Sequence, residues 1–228
     1  MKTPATFLSV NAQFDEVTLY ITLIARLESN RTLGVRALNA SQAMPILKAS
    51  VFLMLYNLIE GNVRSVFSEI YSKIDIERLS FQQLSVELQK IWLKQQFDGV
   101  LPESANHSTY LSAFEAVAQR IEVKEHIALS SRKLPVSGNL DAQAVRKICK
   151  MHGFQIQTSK YAKGGEVLTI IKDKRNALAH GNQSFAECGR EYAVADLKRM
   201  TKEVKHFVLG VHKSARQFQT FTNYRKAI

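Results

Sequence analysis

The chain has 228 residues, of which 46% are hydrophobic and 22% are charged. This composition is typical of a globular protein with a substantial core, and the presence of only four prolines and ten glycines disfavours an all-β fold with many turns. The two cysteines, Cys149 and Cys188, provide neither a disulfide framework nor metal-ligand spacing. We therefore expect a reducing, cytoplasmic location.

The most apolar stretch of the sequence covers residues 49–59. This run is too short to cross a bilayer, which needs about twenty residues. The N-terminal stretch reaches Asp15 and Glu16 too soon for a signal peptide. These features predict a protein without a membrane partner.

The net charge of +11 lies entirely in the second half of the chain. Residues 1–114 hold 10 basic and 10 acidic side chains, whereas residues 115–228 hold 21 and 10. A one-sided basic surface suits a polyanion, because binding phosphates releases their counterions. Many basic proteins bind no polyanion, so charge alone leaves both interpretations open.

Helical periodicity dominates the chain, which contains no convincing strand-type alternation. Helices are predicted at 14–29, 41–74, 80–97, part of 106–129, 141–154, 166–181 and 193–218. The connecting stretches 130–140 and 155–165 are predicted to be loops, and 182–192 irregular. The pattern predicts one all-α domain over residues 1–228, with a core at about 41–213 and a C-terminal tail at 214–228.

Local signals support several of these predicted helices. Pro45 is expected in the first turn of the second helix, where proline is tolerated, and Ser80 is expected to cap the third. The first helix is expected to bury one broad apolar face, made of Phe14, Val17, Leu19, Ile21, Leu23, Ile24 and Leu27.

The predicted helix 166–181 carries an arginine on its apolar stripe. At about 100° per residue, Arg175 shares that stripe with three aliphatic side chains, Leu168, Ile171 and Leu178. An arginine is seldom placed there unless its guanidinium meets an acid, a subunit boundary or a phosphate. Asn176 and His180, on the polar side, are four residues apart and within hydrogen-bonding reach.

Arg175 and His180 together could cleave a phosphodiester, since an imidazole transfers protons near neutral pH and a guanidinium stabilises phosphoryl charge. In one regular helix the two residues are about 7.5 Å apart along the axis and about 140° apart around it. They converge only if Gly181 lets His180 turn, or if a second subunit supplies half of the site. The structural alternative is a basic helix end that complements the helix dipole.

The stretch "IIKDKRNALAHGNQSFAECGREYAVADL" (170–197) resembles the signature of the HEPN superfamily of small helical ribonucleases. "LYNLIEGNVRSVFSEIY" (55–71) and "SGNLDAQAVRKICKMHGF" (137–154) are similar to one bacterial subfamily, so the resemblance covers most of residues 50–205. It implies a HEPN-type helical bundle with additional helices, and a catalytic set of Arg175, Asn176 and His180.

The resemblance also implies a metal-independent endoribonuclease of toxin or host-defence type, with no cofactor and with RNA as substrate. Two copies of the motif are expected to face each other in a homodimer, with Ile171 or Leu178 near the axis. A cognate antitoxin or a neighbouring defence protein is a further expected partner. One branch of the family carries a modifiable tyrosine two residues after the histidine; Asn182 stands there, so that form of control is not supported.

Further residues are candidates for the same site. Asn57, Glu60 and Asp173 are expected to line it, although Glu60 with Arg64 has the spacing of an ordinary intrahelical pair. Four lysines are candidates for binding an RNA backbone, although a charge run is usually a solvated face: Lys172, Lys174, Lys198 and Lys202.

Other classes of function have weaker support in the sequence. The six histidines form no His-Glu-x-x-His or Cys/His array, and no Gly-rich phosphate loop follows a strand. The stretch 138–154 resembles half of a helix-turn-helix, but no second helix stands at the right spacing. The competing hypothesis is a non-catalytic helical module that binds RNA or another protein.

Overall fold

The computed structural model describes residues 5–29, 40–98, 107–136 and 138–226, and its described part contains eight α-helices and no β-strand. The predicted all-α fold is confirmed. The helices are α1 (Ala5–Ser29), α2 (Ala40–Ile76), α3 (Val86–Phe97), α4 (His107–Glu122), α5 (Ala142–Met151), α6 (Glu166–Ala179), α7 (Phe185–Arg190) and α8 (Val194–Thr220).

The chain divides into two compact units. The first unit consists of Met1–Val63, Val136–Val145 and Gln157–His212. The second consists of Arg64–Pro135, Arg146–Ile156 and Lys213–Ile228. Helices α2, α5 and α8 each contribute residues to both units.

Helix α2 is the longest element, with 37 residues. It begins one residue earlier than predicted. Pro45 is its sixth residue and lies in the second turn, so its expected place in the first turn was wrong. By length and composition alone, the 34 residues Ala43–Ile76 could cross a membrane, with a mean hydropathy of 1.3. The apolar part of α2 is therefore longer than the run at 49–59 that the sequence analysis considered. The core helix of a soluble protein meets the same test, and α2 buries Phe52, Ile59 and Phe67 completely.

The first unit is built around large apolar side chains from α1, α2, α6 and α8. Burying each of them removes apolar surface from water and stabilises the fold by about 1.5–3 kcal/mol. Its fully buried members include Ile21, Ile24, Phe52, Leu55, Leu168, Ile171, Leu197 and Phe207.

Helix α1 buries a narrower face than predicted. The buried members of the expected face are Phe14, Val17, Ile21 and Ile24. Leu19, Leu23 and Leu27 are 72%, 51% and 48% exposed, so the prediction was wrong for these three. They are four residues apart and form their own stripe, centred about 140° around the helix from the buried one.

The second unit has its own aromatic core, which includes Trp92, Phe67, Phe218 and Tyr224. The Tyr71 hydroxyl lies 2.7 Å from Nε2 of the buried His152. Burial lowers the pKa of His152 to about 4, so this imidazole is neutral at pH 7 and has a structural role.

Helix α1 begins at Ala5, nine residues before its predicted start. In two further places a capping signal was misread. Ser80 begins only a short 3₁₀ turn, and α3 starts later, after Ser85. The stretch 182–192, predicted to be irregular, contains α7. There the Ser184 hydroxyl accepts from the Glu187 amide, and the Glu187 carboxylate accepts from the Ser184 amide. This Ser-x-x-Glu capping box was visible in the sequence.

Two helical glycines provide a test of the packing in the first unit. A Cβ at Gly189 would lie 1.8 Å from the Pro45 carbonyl oxygen, whereas a Cβ at Gly61 would meet nothing within 4 Å. Gly189→Ala should lower the free energy of unfolding by about 1–3 kcal/mol, since backbone must move. Gly61→Ala should raise it by about 0.5–1 kcal/mol, because alanine restricts the unfolded chain. Urea unfolding of both variants measures the difference; equal effects would contradict this packing.

Candidate functional site

Helix α6 ends in a defined turn that places His180 at its C-terminal boundary. The Asn182 amide donates to the Ala177 carbonyl (2.9 Å), and the Gly181 amide to that of Leu178 (3.4 Å). Gly181 has a φ of 72°, a conformation that glycine adopts without strain. These contacts fix an exposed His180 at the helix end.

Arg175 is half-buried, and its guanidinium lies over the ring of Tyr56, with Cζ 4.4 Å from the ring centroid. Nη1 donates to the Gly138 carbonyl (3.1 Å) and to Asn176 Oδ1 (2.9 Å). Among the residues that the structure describes, none accepts a hydrogen bond from Nε or Nη2 of Arg175. An aromatic face therefore explains the arginine on the apolar stripe, and the Nε–Nη2 edge of its guanidinium has no acceptor among the described residues.

Tyr56 is fully buried and is itself held in place. Its hydroxyl oxygen accepts from the Leu140 amide (3.2 Å), and a side-chain hydrogen bond joins it to Glu60. Burial raises the pKa of Tyr56, and the nearby Glu60 carboxylate raises it further. The phenol therefore stays protonated and can donate to Glu60. Glu60, predicted to line the site, is thus connected to Arg175 through Tyr56.

The segment 138–141 lies against this face of α6. The Gly138 carbonyl accepts from Arg175, Asn139 Oδ1 accepts from Asn176 Nδ2 (2.8 Å), and the Leu140 amide donates to the Tyr56 hydroxyl. Asp141 Oδ2 pairs with Lys172 at 2.9 Å. The sequence predicted only that these residues end a loop and begin a helix. Their role depends on long-range contacts, which residue spacing does not encode.

The side chain of Asn176 faces Arg175 rather than His180. Its Oδ1 accepts from Arg175 and its Nδ2 donates to Asn139, while the His180 amide binds only the backbone carbonyl of Asn176. The expected side-chain contact between Asn176 and His180 is not formed in this arrangement. Asn176 therefore orients the arginine.

Arg175 and His180 share no hydrogen bond in the described structure. Helix α6 is continuous through Ala179, and His180 follows with φ −95° and ψ 1°. The two residues therefore keep the regular helical separation of about 7.5 Å along the axis and about 140° around it. Of the two alternatives for bringing them together, a turn at Gly181 or a second subunit, this geometry favours the second.

The remaining predicted site-lining residues lie elsewhere. Asn57 lines a groove of about 250 Å³ between α1 and α2, with Gln13 and Glu16. Its neighbour Tyr56, about 100° around the helix, is the residue that faces Arg175. Asp173 is exposed, with Oδ1 3.5 Å from Lys172 Nζ.

The four candidate RNA-binding lysines divide into two pairs. Lys172 forms an ion pair with Asp141, and Lys174 pairs with Glu191 (2.6 Å) and donates to Gln183. The hydrogen bond with Asp141 raises the pKa of Lys172. These two lysines connect α6 to its neighbours, whereas Lys198 and Lys202 are exposed on α8.

No group of three or more His, Cys, Asp or Glu side chains within the described residues is arranged to hold a metal ion. A protein-family model described as HEPN-like matches residues 9–218. No curated protein and no solved structure matches the chain.

Proposed function

The chain belongs to the HEPN family, and on that basis we propose that it is a metal-independent endoribonuclease of toxin or host-defence type. The observation that carries the proposal is the fixed guanidinium of Arg175. Tyr56, Gly138 and Asn176 hold one side of this group, while Nε and Nη2 have no hydrogen-bond acceptor within the described part of the chain. Two adjacent N–H donors match two oxygens of one phosphate group.

The proposed reaction is attack of a ribose 2′-oxygen on the adjacent phosphorus. The bond from phosphorus to the 5′-oxygen breaks, which gives a 2′,3′-cyclic phosphate and a 5′-hydroxyl. His180 removes the 2′ proton or donates a proton to the departing 5′-oxygen. Arg175 stabilises the charge that builds on the phosphoryl oxygens, and Asn176 keeps the guanidinium in position.

The proposal includes a homodimer, because Arg175 and His180 lie on different sides of one helix. Two copies of α6 related by a two-fold axis would let the arginine of one chain and the histidine of the other contact one phosphate. Ile171 and Leu178, expected near the axis, are instead buried within the chain. Ile170 is 41% exposed and is the better candidate for an apolar contact across the axis.

The toxin or defence role rests on the resemblance to family members of that type. A ribonuclease that acts in the cytoplasm on cellular RNA needs restraint. We therefore include in the proposal a cytoplasmic location and control by a cognate antitoxin or a neighbouring defence protein.

Cleavage of RNA in the presence of EDTA is the first test. We expect purified protein to cut single-stranded RNA, His180→Ala to be about 10²–10⁴-fold slower, and Arg175→Ala about 10²–10³-fold slower. His107→Ala and Arg190→Ala, which change exposed residues of the same types, should cut like the wild type. Gel analysis with 5′-labelled RNA measures the rates. RNA that stays intact at high protein excess would instead favour a non-catalytic RNA-binding or protein-interaction module.

Tyr56 should act as a positioning residue for Arg175. Tyr56→Phe keeps the ring beneath the guanidinium and should retain most of the activity. Tyr56→Leu removes the ring face and should lower the single-turnover cleavage rate about tenfold or more, since a desolvated cation–π contact contributes about 2 kcal/mol. Circular dichroism and urea unfolding verify that both variants fold. A folded Tyr56→Leu protein with the wild-type cleavage rate would contradict this role.

A further inference from the structure

A second surface of the first unit combines an exposed aromatic ring with positive charge. Tyr161 lies in the 3₁₀ turn Lys160–Gly165, which leads directly into α6, and is 54% exposed. Its ring packs on the imidazole of His206 from α8, with centroids 5.1 Å apart and planes inclined by 33°. Tyrosine exposed to this extent gains little from burial, so packing of the core does not account for its position.

Lysine side chains surround the ring. Lys160 Nζ lies 5.5 Å and Lys202 Nζ 5.9 Å from the ring centroid. Residues 159–166 and 194–206 together hold six Lys or Arg and three Asp or Glu residues. Of the acidic groups, Glu203 is buried and already paired with Lys163 (2.9 Å) and Arg199 (3.3 Å). The surface around Tyr161 therefore has an excess of positive charge.

The positive field also acts on the imidazole beneath the ring. Partial burial, together with the nearby Lys202 and Lys205, lowers the pKa of His206. The imidazole is therefore neutral at pH 7 and supports Tyr161 as an aromatic surface. Lys198, Lys202 and Lys205 follow one side of α8, at intervals of about 6 and 4.5 Å along its axis.

We propose that Tyr161, with Lys160, Lys202 and Lys205, forms a stacking platform for an unpaired base of single-stranded RNA. Every base offers a face that stacks on an aromatic ring, and the lysines can neutralise the phosphates on either side of the stacked nucleotide. The choice of RNA as the nucleic acid rests on the proposed function. Binding at the platform does not require cleavage.

The platform lies at the opposite end of α6 from Arg175. Glu166, the first residue of α6, precedes Arg175 by about 13 Å along the helix axis. A base on Tyr161 would belong to a nucleotide some distance from the phosphate at Arg175. The platform should therefore contribute to RNA affinity and hence to KM, and leave kcat unchanged.

The test measures binding in a His180→Ala background, in which bound RNA stays intact. With fluorescently labelled single-stranded RNA of twelve nucleotides, Tyr161→Ala should raise Kd about five- to one-hundred-fold. Tyr161→Phe keeps the ring and should bind like the background protein. Phe114→Ala, which removes another exposed aromatic ring, should leave Kd unchanged. RNA duplex of the same length should bind without dependence on Tyr161.

Salt dependence tests the lysines separately. The slope of log affinity against log salt concentration reports the number of phosphate contacts. Lys202→Gln should reduce this slope by the equivalent of about one contact, whereas Lys90→Gln, at an exposed position of α3, should leave it unchanged. A Kd for Tyr161→Ala within twofold of the background protein, an equal loss with Phe114→Ala, or no measurable RNA binding would each overturn the platform.

The platform and the proposed function fail in distinguishable ways. Tyr161-dependent binding by a protein that never cuts RNA would overturn the proposed function and support the platform. Cleavage with an unchanged KM in Tyr161→Ala would support the function and overturn the platform.

Discussion

The contact between the Arg175 guanidinium and the Tyr56 ring determines how the candidate site is built. A permanently charged group on the apolar side of α6 must be compensated where it lies, because an unpaired charge at such a position would destabilise the fold. The ring face, 4.4 Å away, and the Gly138 carbonyl provide that compensation from two other parts of the chain. The arginine is thereby joined to α2 and to the segment 138–141.

The groups that compensate the charge of Arg175 contact only part of its guanidinium. The proposed binding of a phosphate depends on the part that they do not contact. Within the described residues, the contacts of Arg175 engage its Nη1 atom and one face of the guanidinium; they fix its orientation and leave the Nε–Nη2 edge for the proposed phosphate. A donor held in advance at the place where charge develops costs no reorganisation during the reaction. His180 has the opposite environment: it is exposed at a helix end, where a substrate or a second chain can reach it. Under the proposed function, the two residues act on one phosphate when two copies of the helix meet.

The sequence predicted the helical fold because helical periodicity is local, whereas the catalytic set of Arg175, Asn176 and His180 came from the resemblance to the HEPN family. Periodicity located the helices, and an arginine on an apolar stripe marked α6 as unusual. Tyr56 could not be recognised as the partner of Arg175, since the two residues are distant in the chain and nothing in their spacing relates them. The hydrogen bond from Asn176 Nδ2 to Asn139 could not be predicted for the same reason, because these two residues are also distant in the chain. The missed helix α7 is different, because its Ser184–Glu187 capping box was present in the sequence.

The most direct test of the account is to combine two inactive chains. Arg175→Ala and His180→Ala chains, co-expressed with different tags and purified as heterodimers, contain one arginine and one histidine on different chains. If the arginine of one chain works with the histidine of the other, one of the two sites in each heterodimer is complete. The account predicts cleavage at about half the wild-type rate for these heterodimers. Activity no higher than that of the single variants, or a fully active wild-type monomer in sedimentation at the assay concentration, would contradict it.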